Sequence, residues 1–262
     1  MQSLIEEIKD KKELRALSPD FVGSIAKELL EKRKANLEKK SERKAFIKEV
    51  RSVLHSVYGV FKKSKYAKRN KLLKEIAGVD DIETHNKILR LHRSTKERLP
   101  YYSMAYDRIF SITGKPKTIL DLGCGLNPLS LPYMKLKEVT YYASELTEED
   151  TKFIQDYIDS MRIKGKAFQM DLTRIDKLPT ADICFMFKLL DTLETLKWDV
   201  TKTILERIDA RWIVASFPLK TLGGKKSISK KRLAWFERAI EGHKYETFEI
   251  PNEIFYVIKF KQ

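Results

Sequence analysis

Ile119-Leu120-Asp121-Leu122-Gly123-Cys124-Gly125 sets an apolar run, an acid and a Gly-X-Gly turn end to end. The run reads as a buried strand, and the glycines let the backbone turn sharply and approach a ligand with no Cβ in the way. A helix is expected to open near Pro128. About twenty residues on, Glu145 follows a second predicted strand, where a carboxylate can accept hydrogen bonds from both hydroxyls of a ribose. Asp171 ends a third, placed to meet an adenine amino group. A dinucleotide fingerprint would put a small residue at position 128, where proline stands. The pattern therefore favours S-adenosylmethionine (SAM), which has no phosphate and needs only the shorter turn.

Around this motif, short apolar runs alternate with helical stretches. Strands are expected at 118–122, 139–144, 167–170, 181–187 and 212–217, then at 245–250 and 253–260 around Pro251-Asn252. Five strand–helix units and a terminal hairpin are the layout of a Rossmann-like methyltransferase, an α/β fold whose last strand runs antiparallel. Residues 1–80 read as helices throughout. Leu4, Ile5, Ile8, Leu14 and Leu17 recur at helical spacing, Ser18-Pro19-Asp20 is a helix start, and Phe21, Val22, Ile25, Leu29 and Leu30 form the next stripe. Charged residues 31–44 predict a long exposed helix or a helix pair. A third amphipathic helix follows through Ile47, Val50, Val53, Leu54 and Val57. Ala77-Gly78-Val79-Asp80 marks the expected boundary between an all-helical extension (1–80) and the catalytic domain (81–262), whose first part stays helical with a break at Pro100.

The formal charge is +15 and is uneven. Residues 1–80 hold 21 Lys and Arg against 12 Asp and Glu, an excess of nine, and the other 182 residues hold 31 against 25. The densest cluster is Lys62, Lys63, Lys65, Lys68, Arg69, Lys71 and Lys74. Such an excess attracts polyanions, nucleic acid above all. The rival is a solvated, thermophile-like surface, since the chain has only four Gln and five Asn. Two cysteines, Cys124 and Cys184, are too few for a disulfide framework or a zinc site and fit a reducing cytoplasm. No secretory leader, membrane span or metal site is expected.

The run Asp121-Leu122-Gly123-Cys124-Gly125-Leu126-Asn127-Pro128-Leu129 closely resembles the aminoglycoside-resistance 16S rRNA (guanine-N7)-methyltransferases, which modify one guanine of the ribosomal decoding site. Three further segments match in order: His92-X-Ser94-Thr95-X-Glu97-Arg98-Leu99, Ser216-Phe217-Pro218-X-Lys220-Thr221-Leu222-Gly223 and Asn252-Glu253-Ile254-X-Tyr256-Val257-Ile258. Upstream, Leu54-His55-X-X-Tyr58-Gly59-X-Phe61 looks like the helical domain of that family, so the resemblance spans about residues 45–260. It implies an N-terminal rRNA-docking module, with Lys62, Lys63, Lys65, Lys68, Arg69 and Lys71 as RNA contacts. It implies that Arg98 clamps the methionine carboxylate of SAM, as a guanidinium fork can, with Phe61, His92, Arg93 and Ser94 nearby. Gly123, Gly125, Glu145, Asp171, Leu172 and Phe187 complete the cofactor pocket. Lys188 and Lys220 fall on the substrate side as catalytic candidates. The partner expected is the small ribosomal subunit with its 16S rRNA, met by a monomer.

The departures fall near the substrate. Glu145 stands where the family usually has Asp, Asp191 where it has Pro, and Leu196 where Gln is common. Residues 225–231 replace a Lys-Gly-Met segment. The fourth strand ends Phe185-Met186-Phe187-Lys188 and lacks the Asp/Asn-Pro-Pro-aromatic motif of exocyclic-amine methyltransferases. Neither cysteine is set up as a cytosine-C5 nucleophile. Guanine N7 needs no deprotonation, which suits a site without a general base. Two other readings stay open: guanine-N7 methylation at another rRNA or tRNA site, and a non-catalytic ribosome-assembly protein that binds RNA.

Overall fold

The structure is a computed structural model describing residues 1–76, 81–220 and 229–261. Three helices open the chain: α1 (Gln2–Lys9), α2 (Pro19–Arg33) and α3 (Lys40–Val57). Ser18 caps α2, its Oγ accepting from Phe21 N at 3.2 Å. The charged stretch 31–44 resolves into a helix pair, because α2 ends at Lys34 in the left-handed conformation (φ 52°) and α3 starts at Lys40. Next come α4 (Arg69–Ile76), α5 (Ile82–Leu89), α6 (Arg93–Arg98) and α7 (Tyr102–Thr113). The expected boundary at residues 77–80 lies outside the described residues.

The remaining elements build the sheet and its cover: β1 (Thr118–Asp121), α8 (Leu131–Met134), β2 (Thr140–Glu145), α9 (Glu148–Ser160), β3 (Lys164–Gln169), β4 (Ala181–Phe187), α10 (Leu190–Leu196), α11 (Val200–Arg207), β5 (Ala210–Pro218), α12 (Ala234–Ala239), β6 (Lys244–Ile250) and β7 (Glu253–Lys259). The strand order is β3-β2-β1-β4-β5-β7-β6. The first five strands are parallel, and β7 pairs antiparallel with both β5 and β6. All seven expected strands are present, in the expected Rossmann-like arrangement.

Side chains alternate across the central strands, as a period of two demands. Leu120, Cys184, Met186, Ile213, Ala215 and Phe217 face a core shared with Leu4, Ile8, Val22, Val50 and Leu54 of α1–α3. Ile119, Ile183, Phe185, Phe187 and Val214 face the opposite core, with Ile88, Tyr106, Ile109 and Phe153 of α5, α7 and α9. The N-terminal helices thus cover one face of the sheet and contribute to its core.

Two elements differ from expectation. β3 starts at Lys164, because its first three residues, Lys164, Gly165 and Lys166, are exposed on an edge strand and carry no apolar signal. Gly165 lies opposite Tyr141 with φ 140°, and a Cβ there would sit 1.9 Å from the Tyr141 carbonyl oxygen. The helix after β1 is reduced to a 3-10 turn, Asn127–Ser130, and the single turn α8, since Pro128 and Pro132 lack the N–H groups a longer helix needs.

Candidate functional site

The strand order reverses between β1 and β4, and a parallel sheet opens a crevice at such a switch point beyond its carboxyl ends. A cavity of about 990 Å³, counting its open mouth, lies there. The turn after β1 forms its floor. Gly123 and Gly125 both have φ 56°, and a Cβ on Gly123 would come within 2.6 Å of Leu189 Cδ1. The glycines therefore meet both a conformational and a steric demand.

Glu145 closes β2 with its Oε1 accepting from Gly125 N and its Oε2 from Leu146 N at 3.2 Å. Burial, then the nearby Asp150 charge, raise its carboxyl to about 7. Asp171 sits two residues past β3, its Oδ1 accepting from Thr173 N at 2.9 Å and Thr173 Oγ1 at 2.7 Å, so its other oxygen stays available. Asp121 is different. Its Oδ2 receives Asn127 Nδ2 at 2.9 Å and Tyr141 OH at 2.7 Å, and burial lifts its carboxyl to about 6. It braces the turn from below. His92 stacks on Phe61 with ring centroids 5.6 Å apart. Burial pushes its imidazole down to about 3, so the ring is neutral, and its Nδ1 is buried without a hydrogen-bond partner.

Phe61, His92, Ser94, Arg98, Gly123, Gly125, Glu145, Asp171, Leu172 and Phe187, which the resemblance implies for the cofactor pocket, line this cavity, and so does Lys188, which was expected on the substrate side. Arg93 and Lys220 do not line it, and Lys220 is exposed. Residues 221–228, which hold Thr221-Leu222-Gly223 and most of the divergent 225–231 segment, lie outside the described residues.

Three assignments need correction. Lys188 carries no free ammonium: its Nζ is 2.9 Å from Glu97 and 3.3 Å from Glu253, in a position only 8% exposed. Lys62 and Arg69 do not present their charges to solvent as RNA contacts would. Lys62 Nζ is 2.7 Å from Asp150 Oδ2, and Arg69 reaches Asp150 at 3.1 Å and Glu149 at 2.8 Å. Tyr58 and Tyr66 hydroxyls also donate to Asp150, at 2.9 and 3.2 Å. This carboxylate needs two cations and two phenols because it is buried at the start of α9. The other four, Lys63, Lys65, Lys68 and Lys71, are exposed, but they spread over coil, a 3-10 turn and α4.

Arg98 meets a carboxylate, and it belongs to the chain itself. Both partners are 1% exposed, with Arg98 Nη2 2.5 Å from Glu253 Oε1 and Nε 3.2 Å from both oxygens. Ser216 Oγ donates to the same Glu253 at 2.6 Å. Its remaining N–H groups make only long contacts of 3.3–3.5 Å, to Ser94, Asn127 and Tyr102, which a ligand carboxylate on the cavity side would have to replace.

Sequence reading missed Asp150, Tyr58, Tyr66 and the role of Glu253. Thr147-X-X-Asp150 was a readable helix-start signal, with Thr147 Oγ1 accepting from Asp150 N at 3.3 Å. Nothing local marks Asp150 as the ligand of Lys62 and Arg69.

A family model described as ribosomal RNA methyltransferase (FmrO) matches residues 12–257. The chain belongs to this family. A 16S rRNA (guanine(1405)-N(7))-methyltransferase of Micromonospora echinospora is 31% identical over 229 residues, covering 81% of this chain and 82% of the relative. The Serratia marcescens enzyme of the same description is 30% identical over 258 residues, covering 95% and 94%. The crystal structure of 16S rRNA methyltransferase RmtF in complex with S-adenosyl-L-homocysteine superposes with a TM-score of 0.84 at 27% identity, covering 99% of this chain and 98% of that one. Membership in the FmrO family agrees with the glycine turn and its two flanking acids, and it makes the chain an rRNA methyltransferase with a Rossmann-like catalytic fold. No described helix is long and apolar enough to cross a membrane, and no described cluster of His, Cys, Asp and Glu could hold a metal ion.

Proposed function

We propose that this chain is a cytoplasmic, monomeric, SAM-dependent methyltransferase that modifies N7 of a guanine in the decoding site of 16S rRNA, on the small ribosomal subunit. The observation that carries this reading is the Gly123–Gly125 cradle between Glu145 and Asp171, at the switch point of an rRNA-methyltransferase chain. The residues fit the cofactor. Two glycines leave room where a Cβ would intrude, and the unpartnered His92 Nδ1 offers a buried polar atom to a ligand. Glu145 would hold the ribose hydroxyls, Asp171 the adenine amino group, and the cavity side of Arg98 the carboxylate. Leu172 and Phe187 supply apolar walls.

Bound SAM supplies a methyl group on a positively charged sulfur. The protein's own part is then to bind, orient and exclude water, because guanine N7 presents a free lone pair in the major groove. Consistent with this, two obvious proton acceptors among the described lining residues are poor ones: burial holds the His92 imidazole far below its usual range, and Lys188 is ion-paired. The helical part, residues 1–80, serves as the docking module through exposed Lys63, Lys65, Lys68 and Lys71. Small subunits incubated with the protein and labelled SAM should yield 7-methylguanosine on nucleoside mass spectrometry, at a mappable decoding-site guanine. Label in tRNA or at a distant rRNA guanine would move the target, 5-methylcytosine would reject the chemistry, and SAM binding without transfer would leave an RNA-binding protein.

A further inference from the structure

Trp198 is 83% exposed, the most exposed of the large apolar side chains described. A scattered surface Leu or Met needs no explanation. An indole held out by a rigid turn does. Trp198 occupies the apex between α10 and α11, and that apex is tied down on every side. Glu194 accepts from Asp199 N at 3.1 Å and from Thr201 N at 2.8 Å. Lys197 N donates to Leu193 O at 3.0 Å, and Lys197 Nζ reaches across to Thr173 O at 3.0 Å. Asp199 takes the left-handed conformation (φ 61°) to complete the turn.

The position of the turn matters as much as its rigidity. Thr192, Leu193 and Leu196 of α10 line the cofactor cavity, and Thr173 accepts its bond two residues after Asp171. The 3-10 turn Leu172–Arg174 packs against both α10 and α11. Trp198 follows by two residues Leu196, the last residue of α10 to line the cavity. Arg174 and Lys202 are exposed on these same elements and Lys177 on the coil that follows the 3-10 turn, against exposed Asp176 and Asp199, while the Lys197 ammonium is held by Thr173 O. A solvent-facing aromatic among cations matches single-stranded RNA, whose splayed bases stack on aromatic faces while lysine and arginine meet the phosphates.

We propose that Trp198 is a stacking platform for an unpaired base of the RNA substrate, beside the cofactor cavity. The assignment rests on the rRNA-methyltransferase reading and adds a residue that touches RNA through a base face instead of a phosphate. W198A should weaken small-subunit binding by roughly 5- to 150-fold, the range that loss of one stacked base gives. W198F should retain most of the affinity. SAM affinity and thermal midpoint should not move in either variant. The salt slope of binding should also stay at the parental value, because stacking releases no counterions.

Fluorescence supplies a second readout that needs no methylation. Of the three tryptophans, Trp212 and Trp235 are part-buried, so quenching by a mixed-sequence single-stranded RNA oligonucleotide should be large in the parent and lost in W198A. If the parent fails to methylate small subunits yet shows this quenching, the target reading falls and the stacking assignment stands. If W198A binds and methylates subunits like the parent, the stacking assignment falls and the target reading stands. A protein-concentration-dependent fluorescence change without RNA, absent in W198A, would make the indole a self-association contact and overturn the proposal.

Discussion

Arg98 and Glu253 lie 155 residues apart in sequence and face each other inside the protein, both 1% exposed, with Nη2 and Oε1 2.5 Å apart. Burial opposes the charge of each, and the opposing partner offsets it, raising the Arg98 pKa and lowering that of Glu253. The pair ties α6 to β7 across the floor of the site. Glu253→Ala should leave the guanidinium charged and unpaired at a cost of about 3–5 kcal/mol. Urea unfolding would register this as a lower midpoint, and Glu253→Gln, which keeps acceptor capacity, should lose less.

Glu145 predicts a pH dependence of definite sign. Its folded pKa of about 7 lies above the ordinary 4.5, so its stabilising contribution is complete below pH 4.5 and disappears as pH rises through about 7. Cofactor-free protein should therefore lose stability as pH rises from about 4.5 to about 7, and Glu145→Gln should flatten that part of the profile. SAM affinity should run the other way, rising from about pH 6 to about pH 8 as the carboxylate becomes available to accept from ribose. Titration calorimetry at pH 6 and pH 8 would test this, and a parental affinity independent of pH would remove Glu145 from the ribose site.

Gly123→Ala places a Cβ at φ 56° and within 2.6 Å of Leu189 Cδ1. The left-handed backbone alone costs roughly 1–2 kcal/mol for a residue with a Cβ. We expect a cooperative but lower thermal transition and a clear loss of SAM affinity by calorimetry.

The lysine cluster should divide into two groups by phenotype. Asp150→Ala leaves part-buried Lys62 without its carboxylate and buried Arg69 with Glu149 alone, and should destabilise by about 3–5 kcal/mol. Combined replacement of Lys63, Lys65, Lys68 and Lys71 by Ala should leave the unfolding midpoint in place. It should weaken small-subunit binding and shallow its salt slope by about one for each phosphate contact removed. An unaltered slope would show that these four side chains form a solvated surface.

Much of the fold was legible because it is written in local periods. A strand buried on both faces reads as the continuous run Ala181–Phe187, a covering helix shows its apolar stripe, and a turn that must approach a ligand announces its glycines. The same holds for Gly123, Gly125, Glu145 and Asp171 of the cavity lining, which follow directly from where their strands end. β3 was read short because an exposed edge strand has no apolar period to read.

What the tertiary structure alone decided is which charges are spent inside. Lys62 and Lys63 are neighbours in one basic run, yet Lys62 is drawn to Asp150, 88 residues away, while Lys63 stays in water. Lys188 looks like a substrate contact at a strand end and is held by Glu97 and Glu253. Arg98 looks like a free carboxylate clamp and already carries one. A cationic side chain has the same local signature whether it ends buried or solvated. Its fate depends on whether packing brings a distant carboxylate within reach, because only such a partner offsets the loss of hydration.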